Sequence, residues 1–310
     1  SKLHAPGLNI MYGDAKNNIA WFASGQLYKY REGVDTKLIL DGASGNDEIL
    51  EYYDFEENPQ AINPKSNYVY SANNQPDSIK GGLYPGYYLP EDRAKRIVNL
   101  LEAKNDFTKE DVATMIYDVT SATAPTIIAN LSDGIDASQL SANEQLSLGI
   151  LGKWNGYYGK KEVAATIYNR FLYEVLAATY KDEMGKSFNQ FLNTPYQDKA
   201  LAEQIGREES VWWDNITTKN KVEGRVDIIT GSFKNTVAFL ENQLGKDVES
   251  WTWNRVISIE YQHAFGKNPT LRKYFNVGPF ETIGGNETIN NQSYKIDSTG
   301  YYKISSGPST

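Results

Sequence analysis

The pattern of hydrophobic and polar positions changes twice along the chain. In residues 1–89 and 247–310, short apolar or aromatic runs are separated by Gly, Asn and Pro, which is typical of strands joined by turns. In residues 90–246, apolar residues recur every three or four positions, which is typical of helices. The pattern predicts an α+β fold, in which strands from both ends form part of one sheet and a helical lobe is inserted between them.

The strand-like runs can be placed individually. Residues 8–12 and 19–23 predict a hairpin, and their near-continuous apolar character predicts burial on both faces. Residues 67–72, which contain two Tyr and one Val, predict a further strand. After residue 247 the pattern predicts four short strands, at residues 251–253, 256–261, 281–283 and 301–305.

The helical lobe carries recognisable start signals. Pro90 opens the first predicted helix, Thr108 is the predicted N-cap of the next, and Ser141 begins a capping-box pattern. The strongest helix is predicted at residues 161–180, and another at residues 225–244. We interpret the apolar stripes of these helices as core contacts and not as cofactor contacts.

Three consecutive carboxamide residues follow the strand predicted at residues 67–72. Asn73, Asn74 and Gln75 are poor strand formers, and Pro76 biases the residue before it away from helical geometry, so a turn is predicted. Such a turn can satisfy its own backbone through side-chain hydrogen bonds, or it can present reactive polar groups at the end of a strand. Both interpretations stay open on composition alone.

Composition excludes several classes of protein. The net charge of −8 and the pI of 5.0 argue against a nucleic-acid partner, whose binding needs clustered Lys and Arg. No apolar run approaches the roughly 18 residues that span a bilayer, so no membrane partner is expected. The absence of cysteine excludes disulfides and thiolate chemistry.

Metal and triad chemistry have few candidate residues. With only His4 and His263, a His-rich metal site is excluded, and a Ser-His-Asp triad would have to use one of these two. We interpret His263 as a structural hydrogen-bonding residue. Residues 46–57 form an acidic run without ligands at fixed offsets, which we interpret as a solvated face. No metal and no cofactor is predicted for residues 1–310.

The carboxamide turn also takes part in a resemblance. Residues 63–76 read N-P-x-x-x-Y-V-x-x-A-N-N-x-P, and residues 92–97 read D-R-A-x-R-I. These two motifs resemble those of the penicillin amidase (penicillin acylase) family. In that family the first Asn of the A-N-N turn donates its side-chain amide to the oxyanion hole, and the Arg at the start of the next helix supports it. The resemblance implies these two catalytic roles for Asn73 and Arg93.

Stretches on either side resemble the same family in the same order. Residues 4–20 resemble its hairpin A-x-N-x-x-Y-A/G-D-x-x-G-N-I-G/A, and residues 275–280, 284–290 and 306–309 resemble its late strands. The resemblance covers nearly the whole chain. It implies that the chain forms part of the four-layer αββα sandwich of N-terminal nucleophile hydrolases.

The resemblance also implies partners. The family's catalytic serine opens the mature β subunit with the motif S-N-x-W, whereas Ser1 is followed by Lys2, Leu3 and His4. We therefore expect that Ser1 is not the nucleophile and that residues 1–310 are one internal piece of a β subunit. Its expected partners are the α subunit and the remainder of the β subunit, and its expected location is periplasmic or secreted. Calcium, which members often bind, is an expectation for the full-length protein only.

Three functions are open at this point. The first is an amidohydrolase that cleaves N-acyl amides, such as β-lactam side chains, with the isolated chain inactive. The second is a non-catalytic relative that binds peptides or glycans through the Tyr-rich loop at residues 84–88. The third is a structural piece with no independent role, which is compatible with the first. The resemblance favours the first.

Overall fold

The structure, a computed structural model, describes residue 4 and residues 7–76 and 84–304. The chain divides into two compact units, residues 1–103 and 104–310. The elements follow the predicted order, with strands first, then mainly helices, then strands again. The predicted α+β class is therefore confirmed.

The first unit contains the predicted hairpin and three further short strands. The first two strands pair antiparallel, the fifth adds to the second to complete a three-stranded sheet, and the third and fourth pair separately. These strands are β1 (Leu8–Gly13), β2 (Ile19–Ser24), β3 (Tyr28–Lys29), β4 (Glu51–Tyr52) and β5 (Gln60–Ile62).

The expected burial of the hairpin on both faces is wrong for β1. All six of its residues are exposed, and Leu8 and Tyr12 keep 52% and 51% of their surface. β1 lies at the edge of the sheet, with β2 as its only ladder neighbour there, and β2 supplies the buried Ala20 and Ser24. The apolar run predicted a strand correctly, but an apolar run alone does not determine what covers it.

The strand predicted at residues 67–72 is wrong. These residues form no strand, and the sheet ends before them at β5. Asn63 and Asn67 adopt left-handed φ angles of 44° and 58°, and the Asn67 N–H donates to the Pro64 carbonyl oxygen at 3.0 Å to close a turn. Left-handed residues interrupt an extended ladder, so the segment continues as irregular chain.

The predicted helical content of residues 90–246 is confirmed, with boundaries shifted by a few residues. The helices are α1 (Asp92–Glu102), α2 (Lys109–Ile116), α3 (Ala124–Asp133), α4 (Ala142–Gly152), α5 (Val163–Met184), α6 (Phe188–Phe191), α7 (Tyr196–Ile205), α8 (Arg225–Leu244) and α9 (Pro269–Phe275). Of these helices, α1 belongs to the first unit and the others to the second, and α9 lies beyond the segment that was predicted to be helical. Thr108 and Ser141 cap α2 and α4 as predicted, each with a side-chain oxygen that accepts a backbone N–H. Among the described helices, none has the length and apolar content needed to cross a membrane.

α5 and α8 form the centre of the second unit. The predicted stripe of α5 is core, because Ala164, Ile167, Phe171 and Val175 are at most 3% exposed. Phe171 meets Phe233 of α8 edge to face, with 5.1 Å between ring centroids. A helix buried on nearly all sides in this way sets the position of the elements around it.

A second three-stranded sheet belongs to this unit. β6 (Ile257–Tyr261) lies between β7 (Val277–Glu281), which is antiparallel to it, and β8 (Tyr302–Ile304), which is parallel. The strands predicted at residues 256–261 and 301–305 are confirmed, and the one predicted at residues 281–283 lies earlier, as β7. Within residues 7–76 and 84–304, the strands of the two chain ends form separate sheets, so the expected shared sheet is not present there.

The strand predicted at residues 251–253 is wrong, since these residues join two short 3₁₀ turns, Val248–Ser250 and Trp253–Arg255, and none of them is extended in a sheet. The indole rings of Trp251 and Trp253 are both fully buried. Trp251 Nε1 donates to the Gly245 carbonyl oxygen at 2.7 Å, and Trp253 Nε1 donates to that of Gly284 at 3.1 Å. Burial of two rings with satisfied N–H groups overrides the strand preference of aromatic residues.

Arg225 ties three helices of the second unit together, which gives a stability prediction. Its Nε donates to the Ile205 carbonyl oxygen at 2.8 Å and its Nη2 to that of Asn130 at 2.7 Å, so the side chain joins α8 to α7 and α3. Arg225→Met leaves both acceptors without their donor, and we expect it to lower the free energy of unfolding by about 2–5 kcal/mol. Urea unfolding measures this. Arg207→Met, at a 65% exposed arginine, is the control and is expected to change it by less than about 1 kcal/mol.

Glu183 gives a prediction about pH. Desolvation and the neighbouring Asp182 carboxylate raise the pKa of the Glu183 carboxyl to about 7. Because the folded state favours the protonated form, the ionised carboxylate destabilises the fold, and this effect grows as pH rises from about 4.5 through 7. We expect Glu183→Gln to raise the Tm at pH 8 and to leave it nearly unchanged at pH 4. An equal shift at both pH values would contradict the assignment.

Candidate active site

The carboxamide turn is held in a left-handed conformation at Asn73. Its φ angle is 62°, a value that Asn tolerates better than most side chains. The Asn73 carbonyl oxygen accepts the Leu89 N–H at 2.9 Å, which fixes the turn to the segment that precedes α1. Ala72 beside it is buried, whereas the Asn73 side chain is exposed. The local backbone therefore presents one amide side chain on the surface of a fixed turn.

Arg93 makes two hydrogen bonds to this turn. Its Nη2 donates to the Ala72 carbonyl oxygen at 2.7 Å and to Asn73 Oδ1 at 3.0 Å. The structure thus brings together the two residues that the sequence singled out as catalytic, although they are twenty positions apart.

The contact determines the orientation of the Asn73 amide. A guanidinium has only donors, so the atom that faces Arg93 must be the oxygen of the carboxamide. Asn73 Nδ2 therefore points away from Arg93, and no described residue accepts a hydrogen bond from it. Among the described residues, the turn thus offers an unused N–H donor of fixed direction, which is the group that can stabilise a developing oxyanion.

The position of Arg93 is not explained by helix stability. It is the second residue of α1, where the positive end of the helix dipole disfavours a cation. Asp92 shares this first turn, and its carboxylate accepts the Arg93 backbone N–H at 2.6 Å. Burial raises the pKa of the Asp92 carboxyl, while the N–H and the charge of Arg93 oppose that shift. The hydrogen bonds that the Arg93 guanidinium donates to Ala72 O and Asn73 Oδ1 offset the unfavourable interaction of its charge with the helix dipole.

A cleft of about 500 Å³ opens beside the turn, within the first unit. Asn73 and Arg93 are not among its lining residues, but their neighbours Asn74 and Ala94 are. Its walls combine aromatic rings and polar groups, which suits a small amphipathic molecule. The principal lining side chains are Trp21, Tyr68, Tyr70, Asn74, Glu91 and Lys95.

Other candidate residues make structural contacts. His263 Nδ1 accepts the Phe265 N–H at 3.2 Å and its ring stacks on Phe275, as expected for a structural residue. The acidic run at residues 46–57 is largely exposed. Within the described part of the chain, no three His, Cys, Asp or Glu side chains are close enough to hold a metal ion.

Some predicted features lie outside the described residues. These are Ser1 and the motif at residues 306–309.

The sequence motifs did not single out Asn74, whose Oδ1 accepts the Ala72 N–H at 3.1 Å. The only signal for it was the adjacency of the two amides.

Two curated relatives of this chain carry the same name. Acyl-homoserine lactone acylase QuiP of Pseudomonas aeruginosa is 26% identical over 328 residues, which cover 94% of this chain and 38% of the relative. The protein of the same name from Pseudomonas fluorescens is 26% identical over 316 residues, covering 95% and 37%. The chain therefore spans less than two fifths of the length of these relatives.

The fold is also found among solved structures. A thermostable penicillin G acylase from Alcaligenes faecalis matches with a TM-score of 0.61 over 80% of this chain and 49% of that chain, at 19% identity. This likeness concerns the fold, and it confirms the predicted α+β class with the fold of part of that acylase. The family model for penicillin amidase matches residues 1–310. The chain belongs to the penicillin amidase family.

Proposed function

We propose that this chain supplies an oxyanion-stabilising hydrogen-bond donor of an amidohydrolase that cleaves N-acyl amide bonds. The observation that carries the proposal is the orientation of Asn73, whose oxygen is held by Arg93 and whose Nδ2 is left as a directed donor. When a nucleophile attacks an amide carbonyl, negative charge develops on the carbonyl oxygen. A fixed side-chain N–H aimed at that oxygen stabilises the transition state more than the ground state.

Arg93 acts through Asn73 in this proposal. By holding both Ala72 O and Asn73 Oδ1, it fixes the direction of the amide before substrate arrives. Its positive charge also polarises the carboxamide, which makes the N–H a better donor. The nucleophile assigned by the family resemblance is an N-terminal serine in the motif S-N-x-W, with its own α-amine as base.

The substrate class follows from the relatives. Two relatives are named acyl-homoserine lactone acylases and the structural neighbour is a penicillin G acylase. Both names denote removal of an acyl group from an amide nitrogen. We therefore propose N-acylated small molecules as substrates, the α subunit and the rest of the β subunit as partners, and a periplasmic or secreted location.

The test is product identification with the whole gene product. Phenylacetyl anilides, penicillin G and acyl-homoserine lactones are incubated with the protein, and mass spectrometry follows the carboxylic acid and the amine. Release of both from at least one N-acyl amide is the expected result. Release of neither, from protein that has matured into two subunits, would contradict the proposal.

The Tyr-rich loop does not favour the binding-module alternative. The Tyr84 hydroxyl oxygen accepts the Tyr28 N–H at 3.0 Å, and the Tyr84 ring packs against Tyr53. The Tyr87 hydroxyl donates to the Lys37 carbonyl oxygen at 2.6 Å. The hydroxyl groups of Tyr84 and Tyr87 are engaged within the first unit, so they do not serve as hydrogen-bonding groups for a peptide or glycan, although Tyr87 keeps 60% of its surface exposed.

A further inference from the structure

The turn at Ala72, Asn73 and Asn74 is restrained from two sides. On one side, Arg93 binds Ala72 O and Asn73 Oδ1, and Leu89 N–H binds Asn73 O. These contacts hold the oxygens of the first two residues. They leave the backbone N–H of Ala72 for another partner.

Asn74 supplies that partner. Its Oδ1 accepts the Ala72 N–H at 3.1 Å, and its Nδ2 donates to the Gln75 carbonyl oxygen at 3.2 Å. One carboxamide therefore bridges the residue before Asn73 to the residue after itself. Because a donor faces its oxygen and an acceptor faces its nitrogen, this orientation is also chemically determined.

The bridge spans the residue whose backbone is least favourable. A left-handed residue that is not glycine is held only when the surrounding contacts require that conformation. The Asn74 bridge links the two sides of Asn73, so it opposes relaxation of the turn toward an ordinary φ. Relaxation would swing the Asn73 side chain and move Nδ2 from its direction.

We propose that Asn74 is a positioning residue for the oxyanion donor, a role that rests on the proposed function of Asn73. Asn74 does not touch the reacting atoms. Its side chain holds the Ala72 N–H before Asn73 and the Gln75 carbonyl oxygen after it, so that Arg93 and Asn74 together determine where Asn73 Nδ2 points. A displacement of a catalytic group by about 1 Å can lower a rate by about a hundredfold.

The neighbouring Gln75 offers a matched control. It is a carboxamide in the same turn, but its Nε2 donates across to the Tyr84 carbonyl oxygen at 3.0 Å and its side chain makes no bond to Ala72 or Asn73. Gln75→Ala removes an amide of the same chemistry without releasing the left-handed residue. It is expected to keep kcat within about threefold of the wild type, and because Gln75 also lines the cleft beside the turn, any effect of its loss is expected in KM.

The experiment is a double-mutant cycle in the whole gene product, with kcat and KM measured on the best N-acyl amide substrate. Asn74→Ala is expected to lower kcat about ten- to a hundredfold with KM nearly unchanged. In the Asn73→Ala background the same change is expected to have almost no further effect, because the donor that Asn74 positions is already gone. Thermal unfolding confirms that each variant is folded, and Asn74→Ser replaces Asn74→Ala if the soluble yield falls.

The cycle separates this inference from the proposed function. If Asn73→Ala lowers kcat by about 10²–10³-fold and Asn74→Ala lowers kcat by the same factor in both backgrounds, Asn74 acts independently and the positioning role is wrong. An Asn74→Ala enzyme with wild-type kcat also overturns it. If Asn73→Ala keeps the wild-type rate, or no amide is cleaved at all, the proposed function fails and the positioning role fails with it.

Discussion

Asn73→Ala is expected to lower kcat by about 10²–10³-fold while KM changes little. The amide donor contributes in the transition state, when charge develops on the carbonyl oxygen, and contributes much less to binding of the ground state. The side chain is exposed and makes one side-chain hydrogen bond, to Arg93, within the described residues. We therefore expect the variant to fold, and steady-state kinetics on a chromogenic N-acyl amide measures the effect.

Asn17→Ala is the matched control for this variant. Asn17 is also an exposed asparagine of the first unit, with a left-handed φ angle of 63°. Both substitutions place alanine in a left-handed conformation, at a backbone cost of about 1–2 kcal/mol. The control is expected to share the loss of stability and to keep the rate. An equal loss of rate in both variants would mean that backbone strain, and not the missing donor, lowers activity.

Arg93→Met is expected to lower kcat about a hundredfold, because it releases both the Asn73 amide and the Ala72 carbonyl. Without the guanidinium, Asn73 Oδ1 loses its donor and the carboxamide can rotate, so the N–H is no longer held in one direction. Methionine keeps much of the side-chain length and apolar packing. Steady-state kinetics and thermal unfolding distinguish a loss of rate from a loss of fold.

Lys16→Met controls for charge. Lys16 is an exposed lysine of the first unit that does not line the cleft of about 500 Å³, and its substitution removes one positive charge without touching the turn at Ala72, Asn73 and Asn74. The control is expected to keep kcat within about threefold. If Arg93→Met behaves like this control, Arg93 does not support the donor, and the assignment taken from the family resemblance is wrong for this chain.

Helices were predictable because their signals are local. The bounds Arg225–Leu244 and the caps at Thr108 and Ser141 follow from periodicity and from side chains that satisfy the first N–H groups of a helix. The stripe on α5 is core, as its spacing predicted. These features depend on residues within one or two turns of each other, which the sequence displays directly.

Strands were less predictable because a strand needs a partner. The Tyr-rich segment at residues 67–72 has strand composition, but Asn67 is left-handed and no described strand pairs with this segment. β1 forms as predicted, yet its apolar side chains are exposed. Strand propensity reports packing against neighbours, and those neighbours are set by tertiary contacts that a local pattern does not contain.

The residues of the candidate site could be proposed from the sequence, but their geometry could not be predicted from it. The A-N-N motif of the turn and the D-R pair that follows it resemble the family, and this resemblance indicated Asn73 and Arg93. Nothing in the sequence indicated that Asn73 is left-handed, that its oxygen faces Arg93, or that Asn74 bridges across it. These features depend on the hydrogen bonds and the backbone conformation of one turn, and they determine the direction of the Asn73 amide.

The most direct test of the central claim is the kcat of Asn73→Asp in the whole gene product, measured on an N-acyl amide that the wild type cleaves. Aspartate keeps an oxygen for Arg93 to bind but replaces the N–H donor with a negatively charged oxygen. If Asn73 donates to the oxyanion, kcat falls by at least about 10²–10³-fold, with the Tm close to that of the wild type. A folded Asn73→Asp enzyme that keeps more than about a tenth of the wild-type kcat would contradict the account.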